Sequence, residues 1–277
     1  MLTDEIKQLI INPDKNPHPF ARNAIERLSA LYREFGHEDL TSDFDESYYL
    51  EKFEDFIRVM YEEGFKDREG RAKPRLFNAY DGFVLYHLQL KEKIKKSFEV
   101  GMATGASTVF LCQGLEDSKE ESENNTHTAI DPAQKADYLT EPAGSWNCTG
   151  IETVSHQNLS HRLHFKGESS HLVLPKMLEN GDRFQLAFID GMHLFDYAFL
   201  DFFYSDLLIE PDGIIIFDDI WMDSILTAIL FVLKNRDYGL VKVGENQTIT
   251  VLRKLHDDRR GWNFHVDFAK KVTQYLS

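Results

Sequence analysis

The sequence predicts an α/β fold: an open, mostly parallel sheet of seven strands flanked by helices, closed by an antiparallel strand and preceded by a helical N-terminal cap. Three observations carry that prediction. From Phe98 onward, short apolar runs alternate with segments of helical periodicity, the pattern of strands joined by crossover helices. The first run, Phe98-Glu99-Val100, breaks at Gly101 and Gly105 and continues into Ser107-Thr108-Val109-Phe110-Leu111. That reads as a strand, a tight glycine turn and the start of a helix. Near the end, Leu240–Val243 and Thr248–Leu252 are two β-rich runs joined only by Gly244-Glu245-Asn246-Gln247. Such spacing is a hairpin, so the last strand runs backwards.

Length and composition set the outer limits. A chain of 277 residues, 42% hydrophobic and 28% charged, accommodates one large α/β domain with an accessory segment. The formal charge of −15 argues against a nucleic-acid partner, which needs clustered Lys and Arg. No apolar run reaches membrane-spanning length, and Met1-Leu2-Thr3-Asp4-Glu5-Ile6 lacks the basic start of a secretory leader, so a cytoplasmic protein without a membrane partner is expected. Cys112 and Cys148 form no metal or redox pattern, and Cys112 reads as a small core residue.

Residues 1–80 form the predicted helical cap or lid, and 81–277 the main domain. Pro17 to Phe35 and Tyr48 to Tyr61 carry apolar residues at helical spacing, the charged Gly64–Pro74 stretch reads as a loop, and Asn78 to Leu90 resumes a helix. An aromatic-rich annex of this size beside a ligand site is expected to shape the pocket and offers a face for a homodimer. The acidic run from Glu116 to Asn125 is a solvated surface loop. Pro142 to Gly150 is loop-like, with Trp146 as a pocket wall or a packed surface aromatic. A helix is expected from Phe264 to Leu276.

The remaining strands each end in polar residues. Thr126–Ile130 ends in Asp131-Pro132, Leu163–Lys166 in Gly167-Glu168-Ser169, Phe184–Ile189 in Asp190-Gly191-Met192-His193, and Ile214–Phe217 in Asp218-Asp219. Phe184–Ile189 is apolar throughout, as a strand buried on both faces must be. The glycine turn leaves helix N–H groups free to face a ligand. An acid at the second strand tip can accept hydrogen bonds from two ribose hydroxyls, with a helix-capping aspartate as the plain alternative.

Taken in order, these segments resemble the class I S-adenosylmethionine-dependent methyltransferases, most closely the small-molecule methyltransferases with a D-G-x-H motif after the fourth strand. The resemblance covers residues from about 80 to 255. It implies a Rossmann-like methyltransferase fold and a cofactor, S-adenosylmethionine, held by Glu99, Gly101, Met102, Thr104, Gly105, Ser107 and Thr108 around its methionine end. By the same resemblance Asp131 and Pro132 hold the ribose, Glu168 and Ser169 contact adenine, and Asp190 lines the transfer site. The implied reaction moves a methyl group to a small-molecule acceptor, with oxygen ahead of nitrogen.

At that site the protein must align nucleophile, methyl carbon and sulfur, and remove a proton from the acceptor. His193 is the candidate general base, since imidazole titrates near neutral pH; orienting its loop or capping the next helix is the alternative role. Neighbouring strand tips lie about 4.8 Å apart, so Asp190, Asp218 and Asp219 crowd one point and can hold Mg2+. Otherwise Asp190 meets the sulfonium end and Asp218 or Asp219 caps a helix. Tyr197 could reach the rim, although helix surface is the simpler placement. Two rival functions share part of the pattern. A nicotinamide-dependent (NAD) oxidoreductase also uses a glycine turn and an acid on the second strand, but here Ala103 and Ala106 stand where two of its glycines would be. A methyltransferase-like binding module without catalysis would not need acids at every strand tip.

Overall fold

The computed structural model describes residues 2–15, 20–118, 125–135 and 145–268. The N-terminal region supplies α1 (Asp4–Ile11), α2 (Ala21–Phe35), the two-residue strand β1 (Glu38–Asp39), α3 (Glu46–Lys52) and α4 (Glu54–Arg58). A small hairpin, β2 (Phe65–Lys66) and β3 (Ala72–Lys73), leads into α5 (Ala79–Lys91). Strands and helices then alternate through β4 (Lys96–Val100), α6 (Ala106–Glu116), β5 (Thr126–Ile130), α7 (Thr149–His156), β6 (Leu163–Lys166) and α8 (Ser170–Glu179). β7 (Phe184–Ile189), α9 (Phe195–Leu208), β8 (Ile209–Phe217), α10 (Asp223–Asn235), β9 (Tyr238–Lys242) and β10 (Thr250–Lys254) complete the series.

The main sheet has the order β1-β9-β10-β8-β7-β4-β5-β6. β10 is antiparallel to both β8 and β9, and the other pairings are parallel. The predicted reversed strand is therefore present, inserted between β8 and β9. The sheet has eight strands rather than seven, because β1 adds itself beside β9.

Side chains alternate across the sheet as the pleat requires. Leu186 and Phe188 join one core with α5 and α6, whereas Ala187 and Ile189 join the other with α8, α9 and α10. The N-terminal region contributes to both cores. Tyr49, Phe53, Phe56 and Ile57 pack against Phe83 and Phe110 on the first face, and Ala24, Leu28 and Leu31 of α2 join the second. Residues 1–80 are thus woven into the same hydrophobic body, and position 80 falls inside α5 rather than in a linker.

Helix starts follow ordinary capping chemistry: the Thr3, Asp45 and Asn78 side chains accept from Ile6 N, Tyr48 N and Tyr80 N. Other expectations shift. The Tyr48–Tyr61 helix is broken at Phe53, and α4 loosens into a π-turn over Val59–Glu63 that Gly64 ends with φ +76°. The Gly64–Pro74 stretch holds the β2–β3 hairpin, stabilised by Asp67, whose carboxylate accepts from the Glu69 and Arg71 amides. α7 has no counterpart in the sequence prediction. β8 begins at Ile209, before the predicted Ile214, and Pro211-Asp212-Gly213 form a bulge within it, with Asp212 at φ +67°. Phe264–Phe268 is irregular, and the rest of the helix expected there lies outside the described residues, as do 119–124 of the acidic run and 142–144. Cys112 is fully buried, as expected. Among the described residues no helix is long and apolar enough to cross a membrane.

Candidate active site

A cavity of about 430 Å3 opens where the C-terminal tips of β4, β5, β7 and β8 converge, a size usual for small-molecule sites. The glycine turn forms its floor. Gly101 takes φ +90°, and a Cβ there would run into the carbonyl oxygen of Asp190, whose own amide donates to Val100 O at 2.9 Å. Only glycine allows the β4 and β7 exits to pass this closely. Gly105, at φ +79°, begins α6 against the backbone of Gly150, so α7 is what closes the turn from behind.

Asp131 lines the cavity at the tip of β5. Its carboxylate accepts from Met102 N at 3.2 Å, Ala103 N at 2.8 Å, Ala133 N at 2.7 Å and Gln134 Nε2 at 3.0 Å. Burial pushes its pKa up against those donors. Asp131 thus fastens the glycine turn to β5: three of the donors share Oδ2, while Oδ1 takes only Ala133 N and keeps an acceptor site for a ribose hydroxyl. Pro132, Ser169 and Gly101 also face the cavity.

Several residues expected at the cofactor lie elsewhere. Because Phe98 and Val100 face the second core, Glu99 points to the opposite side, under α6. There it is fully buried, accepts from Ser107 Oγ at 2.7 Å and from Thr108 Oγ1, and lies 3.3 Å from His127 Nε2. Glu99, Ser107 and Thr108 therefore pin the start of α6 instead of lining the cavity. Met102 and Thr104 are buried, with Met102 against Gly150. Glu168 turns to solvent and pairs with Lys176 at 3.0 Å.

The chemistry gathers at the tips of β7 and β8. His193 Nε2 lies 3.3 Å from Asp190 Oδ1 and 2.7 Å from Asp219 Oδ2. Burial lowers the proton affinity of His193, but the two carboxylates outweigh it and hold its pKa up to about 11. Burial raises Asp190 to about 6, with Asp219 adding to the rise and His193 opposing it. His193 is thus an imidazolium clasped by two acids in this state. Ligand atoms of Asp190, His193 and Asp219 all lie within 4.8 Å of one another, a donor set able to hold a cation. Asp218, expected as the third acid, is not part of that set: its Oδ1 accepts from Asp219 N at 2.7 Å, while burial and the Asp190 and Asp219 charges push its pKa well up.

The loop after β8 is held from both sides. Ser224 Oγ donates to His193 O at 2.6 Å. From α2, Arg27 donates to Ile220 O at 3.0 Å, Trp221 O at 2.7 Å and Asp223 Oδ1 at 2.8 Å. Asp219 itself sits at φ +52°, a conformation aspartate tolerates better than most residues. Trp146 and Tyr197 both line the cavity, Trp146 buried and Tyr197 at the exposed edge. Residues not anticipated include Leu76, Ser170, His171, Met192 and Trp221. For Trp221 a signal existed, an aromatic two positions after the Asp218-Asp219 pair; for Leu76, none did.

Residues 98–220 match a family model described as a methyltransferase domain. Among solved structures, the chain is similar to the O-methyltransferase TomG from Streptomyces achromogenes, involved in tomaymycin synthesis and in complex with SAM. The TM-score is 0.51 at 15% identity, over 66% of this chain and 83% of that one. It is also similar to cofactor-bound Rv0187 from MTB, with a TM-score of 0.53 at 15% identity over 67% of this chain and 84% of that one. At these identities the likeness is one of fold. No curated protein matches the chain. The strand order with its reversed β10 and the match over residues 98–220 lead to one assignment: the chain has a Rossmann-like methyltransferase fold, and its residues 98–220 resemble a methyltransferase domain.

Proposed function

We propose that this protein transfers the methyl group of S-adenosylmethionine to a hydroxyl oxygen of a small molecule. The observation that carries the reading is the Asp190–His193–Asp219 cluster, set at adjacent strand tips and opening into the same cavity as the glycine turn. On this reading Gly101 and Asp131 shape the cofactor side, with Pro132 and Ser169 beside them, and the cluster serves the acceptor side. TomG, an O-methyltransferase in complex with SAM, and cofactor-bound Rv0187 point the same way.

The cofactor supplies a sulfonium-bound methyl group as electrophile, so the protein's work is alignment and proton removal. Asp190, His193 and Asp219 share protons among them, and the acceptor's hydroxyl proton enters this cluster as the oxygen is methylated. Asp190, with a pKa of about 6, sits in the range that suits a general base near neutral pH. His193 holds Asp190 and Asp219 together as their counter-charge and is the group through which the proton leaves. Asp190 and Asp219 would supply hard oxygen donors to a divalent cation, joined by His193 only after it loses its proton, and such a cation would lower the pKa of the acceptor hydroxyl. Cys112 and Cys148 are both free thiols, which supports placing the reaction in the cytoplasm. The N-terminal helices spend their apolar faces on the two cores, so self-association through them forms no part of this proposal.

The test is calorimetric titration with S-adenosylhomocysteine and with NAD. Saturable binding of the first and none of the second is expected; the reverse removes the reading.

A further inference from the structure

The sheet order splits the cavity into two sides. The tips of β4 and β5, with the start of α8, bring Gly101, Asp131 and Ser169 to one side, and the tips of β7 and β8 bring the acids and His193 to the other. The second side has a wall of distinct character. Met192 and Trp221 follow β7 and β8 there, and Leu76, from the segment after β3, and Tyr197, on α9 with its ring centroid 6.4 Å from that of His171, also line the cavity. Leu76 and Met192 are about half exposed, at 54% and 47%, so this apolar surface meets solvent at the mouth and has no covering segment among the described residues.

Trp221 is fixed before any ligand arrives. Its Nε1 donates to Asp219 Oδ1 at 2.6 Å, and Phe20 stacks on its ring with centroids 3.8 Å apart and planes 10° from parallel. A rigid indole presented to a cavity suits a flat apolar partner, since aromatic surfaces stack with little entropy to lose.

Charge narrows the choice. Asp131, Asp190, Asp218 and Asp219 line the cavity, and among the described residues no lysine or arginine does. A phosphorylated or carboxylated acceptor would bring its anion among four carboxylates, where the one imidazolium, His193, is already paired with Asp190 and Asp219 and His171 is the only other basic side chain among the described lining residues. A sugar would set several hydroxyls against Leu76, Met192 and Trp221, which offer them no hydrogen bonds beyond the indole N–H already given to Asp219. One planar ring carrying a hydroxyl meets both constraints.

We infer that the acceptor is an uncharged or cationic aromatic alcohol, its ring seated against Trp221 and its hydroxyl directed to His193. The inference rests on the methyl-transfer reading above and deepens it. The body of the acceptor carries no phosphate or carboxylate, and the rim residue Leu76 takes part in that discrimination. Because Leu76 is an exposed side chain, it can be changed without disturbing either core.

The experiment uses the full-length protein saturated with S-adenosylhomocysteine. Calorimetry then compares 2-naphthol, 6-hydroxy-2-naphthoate and methyl glucoside. The naphthol is expected to bind about tenfold or more tightly than the naphthoate, and the glucoside more weakly than the naphthol. In Leu76→Arg the preference for naphthol over naphthoate should shrink by about tenfold, because the rim then supplies a cation. Equal or tighter binding of the naphthoate or glucoside by the unaltered protein overturns the inference. So does a naphthol-to-naphthoate ratio that Leu76→Arg leaves unmoved, or binding of none of the three. Failure of S-adenosylhomocysteine to bind at all is a separate result, and it sinks the methyl-transfer reading instead.

Discussion

Arg27→Met offers the sharpest test of how the N-terminal region serves the site. Arg27 sits 193 residues from Ile220 in the chain, yet its guanidinium donates to the carbonyls of Ile220 and Trp221 and to Asp223. The Arg27 side chain is 10% exposed and Asp223 62% exposed, so the ion pair itself adds little. The two carbonyl contacts matter more: a hydrogen bond from a charged group contributes about 1.5–3 kcal/mol, giving roughly 3–6 kcal/mol for the pair. The buried Nε of Arg27 has no partner among the described residues, a cost the substitution removes, so the lower end applies. Methionine keeps much of the apolar stem. A loss of about 3 kcal/mol, set against an unfolding entropy of about 2.1 cal/mol/K per residue, lowers Tm by about 5 °C. Turnover should fall by about tenfold or more, because the freed loop carries Asp218, Asp219 and Trp221, while the KM for S-adenosylmethionine holds. Arg27→Lys, able to reach one carbonyl, should recover part of both. Differential scanning calorimetry and initial rates at saturating cofactor read the two effects. A Met variant that melts with the parent and turns over at the parent's rate refutes the reasoning.

Three other outcomes are expected. His193→Ala should lower kcat by about a hundredfold or more and leave S-adenosylhomocysteine affinity within about twofold; a kcat close to that of the parent would remove His193 from proton transfer. Burial raises Asp81 to about 6, opposed by its hydrogen bonds from Thr248 and Ile249. The folded state therefore binds this proton more tightly than the unfolded chain, whose aspartates titrate near 3.9. That stability is fully present below about pH 4 and is lost as pH rises through about 6, by roughly 3 kcal/mol in all. Asp81→Asn should flatten that part of the profile in urea titrations, and parallel slopes for the two proteins would contradict it. Chelation with EDTA should abolish methyl transfer and added Mg2+ restore it, whereas indifference to EDTA assigns the Asp190–His193–Asp219 cluster to proton handling alone.

Much of the architecture could be read from periodicity. Phe184–Ile189 is apolar at nearly every position, which a strand buried on both faces demands, and the four residues between Val243 and Thr248 leave room only for a reversal. The acids at the tips of β5, β7 and β8 were legible for the same reason, because a strand's end is visible wherever an apolar run stops. Glu99 was misplaced because position within a strand says where a side chain sits along it, and only the neighbouring elements say which face it meets. With Phe98 and Val100 facing the α8–α9 side, Glu99 had no route to the cavity. Arg27, Phe20 and Leu76 were beyond reach for another reason. Their roles arise from contacts across most of the chain's length, and no local pattern encodes such a distance. β1 was missed because two residues are too short a window for any alternation to show.

That two-residue strand has a consequence for the protein as a solution species. β9 would otherwise be the sheet's free margin, with Tyr238–Lys242 presenting unpaired backbone groups around Leu240 and Val241. β1 pairs with its far end, Glu38 opposite Val241 and Asp39 opposite Lys242, and Leu40 N adds a bond to Lys242 O at 2.8 Å. Asp39 also places negative charge on the outermost rail, while Glu38 is paired with Arg253 at 2.8 Å, and both discourage a second copy from adding its own strand. Trimming the first forty residues to reach a minimal catalytic unit would strip away this guard, and the shortened protein should form β-rich aggregates that the whole chain resists.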